Sequence, residues 1–268
     1  MRIANISDSA IHQIRFLAAG PASTHVVERV LPIFLARVDA LPEGLDALVV
    51  TSDLQGIDPQ EGCLLGHTVA REIEILASLG KIPSAQTTGI ILAGDLYAQI
   101  DSRGGEGDVR SVWQAFSNRF RFCAGVAGNH DRFGAELKDM QTFQAQRGIY
   151  YLDGDITMVD GLRLGGISGI IGKPSKPFRR REKDYKRAMS QLLKQKPDIL
   201  ILHEGPNAPD ARLAGNELIR SELATASELL VICGHVHWKV PMTSLPKDVQ
   251  VLNVDSRVLV LCSPRFSP

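Results

Sequence analysis

Five short apolar runs in this chain each end directly in a small polar island rich in metal-ligand side chains. The runs are Ala47 to Thr51, Gly89 to Ala93, Phe122 to Ala127, Ile199 to Leu202 and Leu229 to Cys233. Their length, aliphatic and β-branched content and polar or Gly boundaries are those of buried strands. The islands read Asp53-Leu54-Gln55-Gly56, Gly94-Asp95, Gly128-Asn129-His130-Asp131, His203-Glu204 and Gly234-His235-Val236-His237. A sheet whose strand ends converge on one edge gathers them into one site. Four of the seven histidines fall in these islands.

The residue types suit phosphoryl transfer. Two divalent cations a few Å apart polarise a phosphoryl oxygen and generate hydroxide near neutral pH. Asp bridges metals, Asn offers a neutral carbonyl oxygen, and imidazole suits Mn, Fe, Ni or Zn. Asp53, Asp95, Asn129, His203, His235 and His237 form a mixed O/N set with no thiolate, which argues against a structural zinc site.

The order of these blocks resembles the calcineurin-like metallophosphoesterase superfamily. The likeness runs from about Ala47 to the C-terminus, and Gly-Asn-His-Asp and Gly-His-x-His carry most of its specificity. It implies an α/β fold, a four-layer α-β-β-α sandwich of two mixed β-sheets, and hydrolysis of phosphomonoesters, phosphodiesters or pyrophosphates by a metal-bridging hydroxide. By position it makes Asp95 the bridging carboxylate, with Asp53 and His237 on one metal and Asn129, His203 and His235 on the other. His130 resembles the histidine that contacts phosphate and protonates the leaving group, and Asp131 the carboxylate that orients it. The implied cofactors are two divalent ions, Mn²⁺ first, with Fe, Ni and Zn as alternatives.

Two positions depart from the pattern. Gln55 stands where the first island normally ends in His, leaving an amide oxygen as a weaker ligand. Tyr97 follows Asp95 by two positions, where purple acid phosphatases place a ligand Tyr at three. An extended segment would return Tyr97 to the Asp95 face, and packing is the plainer role. The opening Ile3-Ala4-Asn5-Ile6-Ser7-Asp8 resembles a first island too, but Ala10 replaces its His. The separation of 42 positions from Asp53 to Asp95 leaves room for one helix, about Leu64 to Leu79, and favours Asp53.

Residues 1–46 read as an N-terminal elaboration on a 47–268 core, the whole forming one domain, with a strand over Arg2 to Ser7 and a helix over Thr24 to Ala40. At 268 residues the chain buries roughly three-quarters of its unfolded surface. Formal charge is zero, so global attraction to nucleic acid or an acidic membrane is absent.

No apolar segment is long enough for a membrane helix and no basic-then-apolar leader is present, so no membrane partner is expected. Cys63, Cys123, Cys233 and Cys262 lack CxxC spacing and read as reduced thiols, which points to a soluble, cytoplasmic protein.

Three loops stand out. Asp101 to Asp108 is Gly-rich and either borders the site or is a surface turn. Lys173 to Arg187 carries eight Lys/Arg against Glu182 and Asp184. It either binds further phosphates of a nucleotide or nucleic acid, or is the solvated face of a helix running to about Gln195. Its Gly172-Lys173 is no phosphate loop, because Ile167 and Pro174 occupy the required Gly and Ser/Thr positions. After the last island, Val249 to Val254 and Arg257 to Cys262 read as a hairpin closing the second sheet. His67, Arg132 and Glu204 have structural roles as ready as functional ones. Expected partners are a phosphoester substrate, a nucleotide among the candidates. The alternatives are a single-strand nuclease and a non-catalytic scaffold, favoured by the missing His at Gln55.

Overall fold

The computed structural model describes residues 1–20 and 25–266. The first half of the chain supplies strands β1 (Ile3–Ile6), β2 (His12–Ala19), β3 (Val26–Val38), β4 (Ala47–Thr51), β5 (Thr88–Leu92), β6 (Gly107–Asp108), β7 (Phe122–Gly125), β8 (Asp131–Arg132) and β9 (Ile149–Tyr151). The second half supplies β10 (Asp155–Val159), β11 (Leu162–Ile167), β12 (Ile170–Ile171), β13 (Arg179–Arg180), β14 (Ile199–Glu204), β15 (Leu230–Gly234), β16 (Met242–Leu245), β17 (Val249–Asn253) and β18 (Val258–Cys262). Helices α1 (Leu65–Ser78), α2 (Arg110–Ser117), α3 (Leu137–Gln144), α4 (Glu182–Lys194) and α5 (Glu217–Leu223) lie between them.

Two mixed sheets result. The eight-stranded sheet runs β1-β3-β18-β4-β5-β7-β9, with β2 also on β3, and the six-stranded sheet runs β10-β11-β14-β15-β17-β16. Period-2 alternation divides each buried strand between two cores. In β4, Leu48 and Val50 pack with Leu164, Ile201 and Ile232 of the other sheet, whereas Ala47 and Val49 pack with Val69 and Ile73 of α1 and Trp113 of α2. On the far side Tyr185 and Met189 of α4 and Ile219 of α5 cover Leu200, Val231 and Val251. The layers are therefore α-β-β-α. With both faces covered, the central strands read as continuous apolar runs.

Two sequence expectations fail. The segment expected as a helix over Thr24 to Ala40 is strand β3, Thr24 itself lying outside the described residues. Pro32 in a helix interior would remove a backbone hydrogen bond and clash with the preceding turn, a penalty of about 3 kcal/mol. Val26, Val27, Val30 and Ile33 favour the strand, which pairs antiparallel with β2 and β1 and parallel with β18. The C-terminal strands are not a hairpin: β17 lies between β15 and β16 of one sheet, and β18 between β3 and β4 of the other. Alternation gives each strand its faces but not its sheet, and here the chain crosses layers through Val254 to Arg257. That crossing brings Asp255 and Arg257 to the strand ends that carry Asp53 and His235.

Candidate metal centre

Strands β4, β5 and β7 of one sheet and β14 and β15 of the other point their C-terminal ends to one place. Asp53, Asp95 and His235 stand just past those ends with φ of 52°, 55° and 68°, a left-handed conformation uncommon for residues with a side chain. The motif glycines make the crowding workable. A Cβ at Gly128 would sit 1.9 Å from Asp95 Oδ1, and one at Gly234 would sit 2.3 Å from Asp53 Oδ2.

Asp95, His203 and His235 offer ligand atoms that all lie within 4.8 Å of one another. His203 is fully buried; its Nδ1 meets the Ala93 carbonyl oxygen at 2.8 Å, and its Nε2 lies 3.3 Å from Asp95 Oδ2. Among the described residues, that Nε2 and the buried Asn129 Oδ1 have no hydrogen-bond partner. Buried polar atoms are rarely left so, and a cation satisfies both. The donor set fits a divalent metal: hard oxygens from Asp95 and Asn129 and imidazole nitrogens from His203 and His235.

The charges agree. Burial alone would raise Asp95, but the charge of His203 beside it, with the charge and backbone N–H of His130, holds it well below the usual carboxylate range. Burial works to lower His203, and the neighbouring Asp95 reverses it. His235 is pushed down to about 4 by burial and by the charge of His203, which keeps its ring neutral and ready to ligate. Burial raises Asp53, whose Oδ2 accepts from Ser52 Oγ at 2.7 Å and from the His235 backbone N–H at 2.9 Å. Gln55 Nε2 donates to Asp95 Oδ2 at 3.2 Å.

Asp53, Gln55, Asp95, His130, His235 and His237 open on a cavity of about 1010 Å³. His237 is more exposed than the other ligand candidates and lies apart from the buried set. Its Nδ1 is 3.1 Å from Asp255 Oδ1, and its Nε2 faces Arg257 Nη2 at 3.5 Å. Neither Asp255 nor Arg257 was singled out from the sequence. The signal was present, because Asp255-Ser256-Arg257 is a sixth polar island after an apolar run, that of β17.

His130 sits at the rim, its Nε2 4.0 Å from Asp95 Oδ2. Asp131 does not reach the His130 ring. Its carboxylate instead accepts the backbone N–H groups of Leu96 at 2.7 Å, Gly128 at 2.8 Å and Asp95 at 2.9 Å. Asp131 thus braces the loops that carry Asp95 and Asn129.

The Gly-rich loop borders the site: Ser102 to Gly105 line the cavity, and β6 pairs with β8. Tyr97 also lines the cavity, with its ring packed on Gly107, where a Cβ would approach within 2.2 Å. Asp8 is exposed at the cavity edge, away from the bonds that engage Asp53. His67 pairs with Ser111, Arg132 with Glu106, and Glu204 with Ile171 N and Asn216, so these three hold the fold. The Lys173–Arg187 stretch does not line the cavity, and Arg180, Lys186 and Arg187 pair with Asp153, Glu222 and Asp184.

No curated protein sequence matches the chain. Similar solved structures include a hypothetical protein from Thermus thermophilus, at 16% identity over 77% of this chain and 75% of that one, TM-score 0.47. The phosphopantetheinyl hydrolase of Mycobacterium tuberculosis is similar at 15% identity over 83% and 92%, TM-score 0.48. A dimetal phosphatase from Danio rerio is similar at 10% identity over 80% and 87%, TM-score 0.46. The calcineurin-like phosphoesterase family model matches residues 47–239, well over half the chain and every motif position from Asp53 to His237. The chain belongs to the calcineurin-like phosphoesterase family.

Proposed function

We propose that this protein is a metal-dependent phosphohydrolase acting on phosphodiesters or nucleotide-level phosphoesters, with Asp53, Gln55, Asp95, Asn129, His203, His235 and His237 serving two divalent cations. The observation that carries the reading is the pair of buried ligand atoms left without a hydrogen bond among the described residues, Asn129 Oδ1 and His203 Nε2, beside the Asp95 carboxylate. Divalent ions bound there supply Lewis acidity and a water of lowered pKa; Mn²⁺ is the first choice, with Fe, Ni or Zn as alternatives.

The chain's own residues do the rest. Asp95 Oδ2 meets Gln55 Nε2 at 3.2 Å and His203 Nε2 at 3.3 Å, and its Oδ1 is fixed by the His130 N–H at 2.9 Å. His130 at the rim donates a proton to the departing oxygen. Arg29 and Lys239 line the same cleft and carry no ion pair among the described residues, which suits a substrate with a second anionic group. The first 46 residues belong to this working unit, because Phe16, Pro32 and Phe34 line one side of the cleft.

A nucleotide or phosphodiester has more support than a nucleic-acid strand, since the Lys173–Arg187 stretch lies off the cleft. The cytoplasm is the setting we propose, on the cysteine usage. The test is a panel of one aryl phosphomonoester, one aryl phosphodiester and a dinucleotide, offered to Mn²⁺-loaded protein. Faster turnover of the diester or dinucleotide supports the reading. A preference for the simple monoester overturns the substrate class, and no turnover of any turns the interpretation to a non-catalytic scaffold.

A further inference from the structure

Resting on that metal-dependent reading, we infer that the two metal positions are unequal: Arg257 stands as a fixed cation on the His237 side. The centre takes one divalent ion tightly, on Asp95, Asn129, His203 and His235, and a second only weakly.

The inequality begins at one lone pair. His237 Nδ1 lies 3.1 Å from a carboxylate oxygen of Asp255, so in the neutral ring Nδ1 carries the proton and Nε2 the lone pair. That Nε2 faces Nη2 of Arg257 at 3.5 Å. A guanidinium only donates and stays charged, so it occupies the electron pair a metal would need.

Arg257 is not a passing contact. It is 7% exposed, its Nε donates to the Asp255 carbonyl oxygen at 3.3 Å, and its Nη2 donates to the Trp238 carbonyl oxygen. A buried cation beside an ion site also repels a second dication strongly, because the interior screens charge poorly.

The rest of that side is weak for the same ion. Gln55 replaces an imidazole and presents its Nε2 donor to Asp95 Oδ2. On the opposite side the ligand atoms of Asp95, His203 and His235 lie within 4.8 Å, and Asn129 Oδ1 has no hydrogen-bond partner among the described residues. Arg257 lies beyond residues 47–239, so this feature belongs to the chain's own C-terminal part. It also lines the cleft. A guanidinium there suits a phosphoryl oxygen, and Arg257 supplies the second positive charge that a tightly bound second metal would otherwise bring.

The test is Mn²⁺ titration of metal-stripped protein, followed by calorimetry and by electron paramagnetic resonance. One ion per chain should bind first, with the six-line spectrum of an isolated Mn²⁺, and the second should bind roughly 10–100-fold more weakly, the range over which neighbours of ligands tune metal affinity. Arg257→Met should close that gap and produce a spin-coupled pair. Gln55→His should narrow it without touching Arg257, which keeps the test open if Arg257→Met fails to fold in a thermal melt. His237→Ala should leave the tight step in place. Two ions of equal affinity in the wild-type protein, or loss of the tight step in His237→Ala, overturns the inference. One tight ion with no hydrolysis of any phosphoester leaves it standing and removes the proposed function instead.

Discussion

The carboxylate of Asp131 receives the backbone N–H of Asp95 at 2.9 Å, so a fully buried acid fixes the central carboxylate of the site through its main chain. It takes the N–H groups of Leu96 and Gly128 as well. Asp131→Asn retains one acceptor oxygen and turns an NH₂ donor toward donors. Stability should fall by about 1–3 kcal/mol, the usual consequence of unpairing buried polar groups. Urea unfolding measures this, and Mn²⁺ titration should show weaker binding through the displaced Asp95.

Gly128 lets two islands meet. A Cβ there would fall 1.9 Å from Asp95 Oδ1 and 2.3 Å from the Asp95 backbone N, neither of which can withdraw freely. Gly128→Ala should reduce kcat/KM by about 100-fold, the effect of an ångström's misplacement in a site. Gly62→Ala is the control. Its φ is 67° with nothing within 4 Å, so it should cost about 1 kcal/mol of backbone strain and leave kcat/KM unchanged.

The proton donation proposed for His130 makes a prediction about leaving groups. His130→Ala should lower kcat by about 10²- to 10⁴-fold for an alkyl ester, the range for a positioned acid. The loss should be smaller for an aryl ester, whose oxygen departs without a proton. Metal binding, read by calorimetry, should persist, because His130 offers its backbone N–H to Asp95 and that group survives the substitution.

The central strands and the islands after them were legible in the sequence because strands covered on both faces are continuous apolar runs. Which side chains orient which was not. Asp131 follows His130 in the chain, yet its oxygens turn to backbone donors, Gly128 of its own loop and Asp95 and Leu96 of another, a tertiary choice with no sequence signature. The β3 segment carries apolar residues at spacings that suit either element, and only Pro32 and the valines spoke for a strand. Arg257 was hidden differently: its island follows an apolar run like the others, but an arginine, which only donates, does not read as a metal ligand.

Asp58 gives a pH signature away from the metals. Burial would raise its pKa, but bonds from Thr68 Oγ1 at 2.6 Å and from the Glu61 and Gln60 N–H groups, with the charge of Arg71, bring it below the model-peptide value of 3.8. Its stabilisation is therefore present above pH 3.8 and lost as pH falls through the lower folded-state pKa. Asp58→Asn should destabilise the protein by about 1–3 kcal/mol at pH 7. In thermal melts the variant should also lose part of the wild-type decline in stability below that pH.

Phosphoester hydrolysis by the Asp95 centre is tested most directly by stripping metal, refilling with Mn²⁺ in steps, and following aryl phosphodiester turnover against bound ion in wild-type and Asp95→Asn protein. Turnover should rise with bound Mn²⁺ and be absent from the folded variant. Turnover that ignores the chelator, or survives in Asp95→Asn, or never appears with Mn²⁺, Fe²⁺, Ni²⁺ or Zn²⁺, would contradict the account.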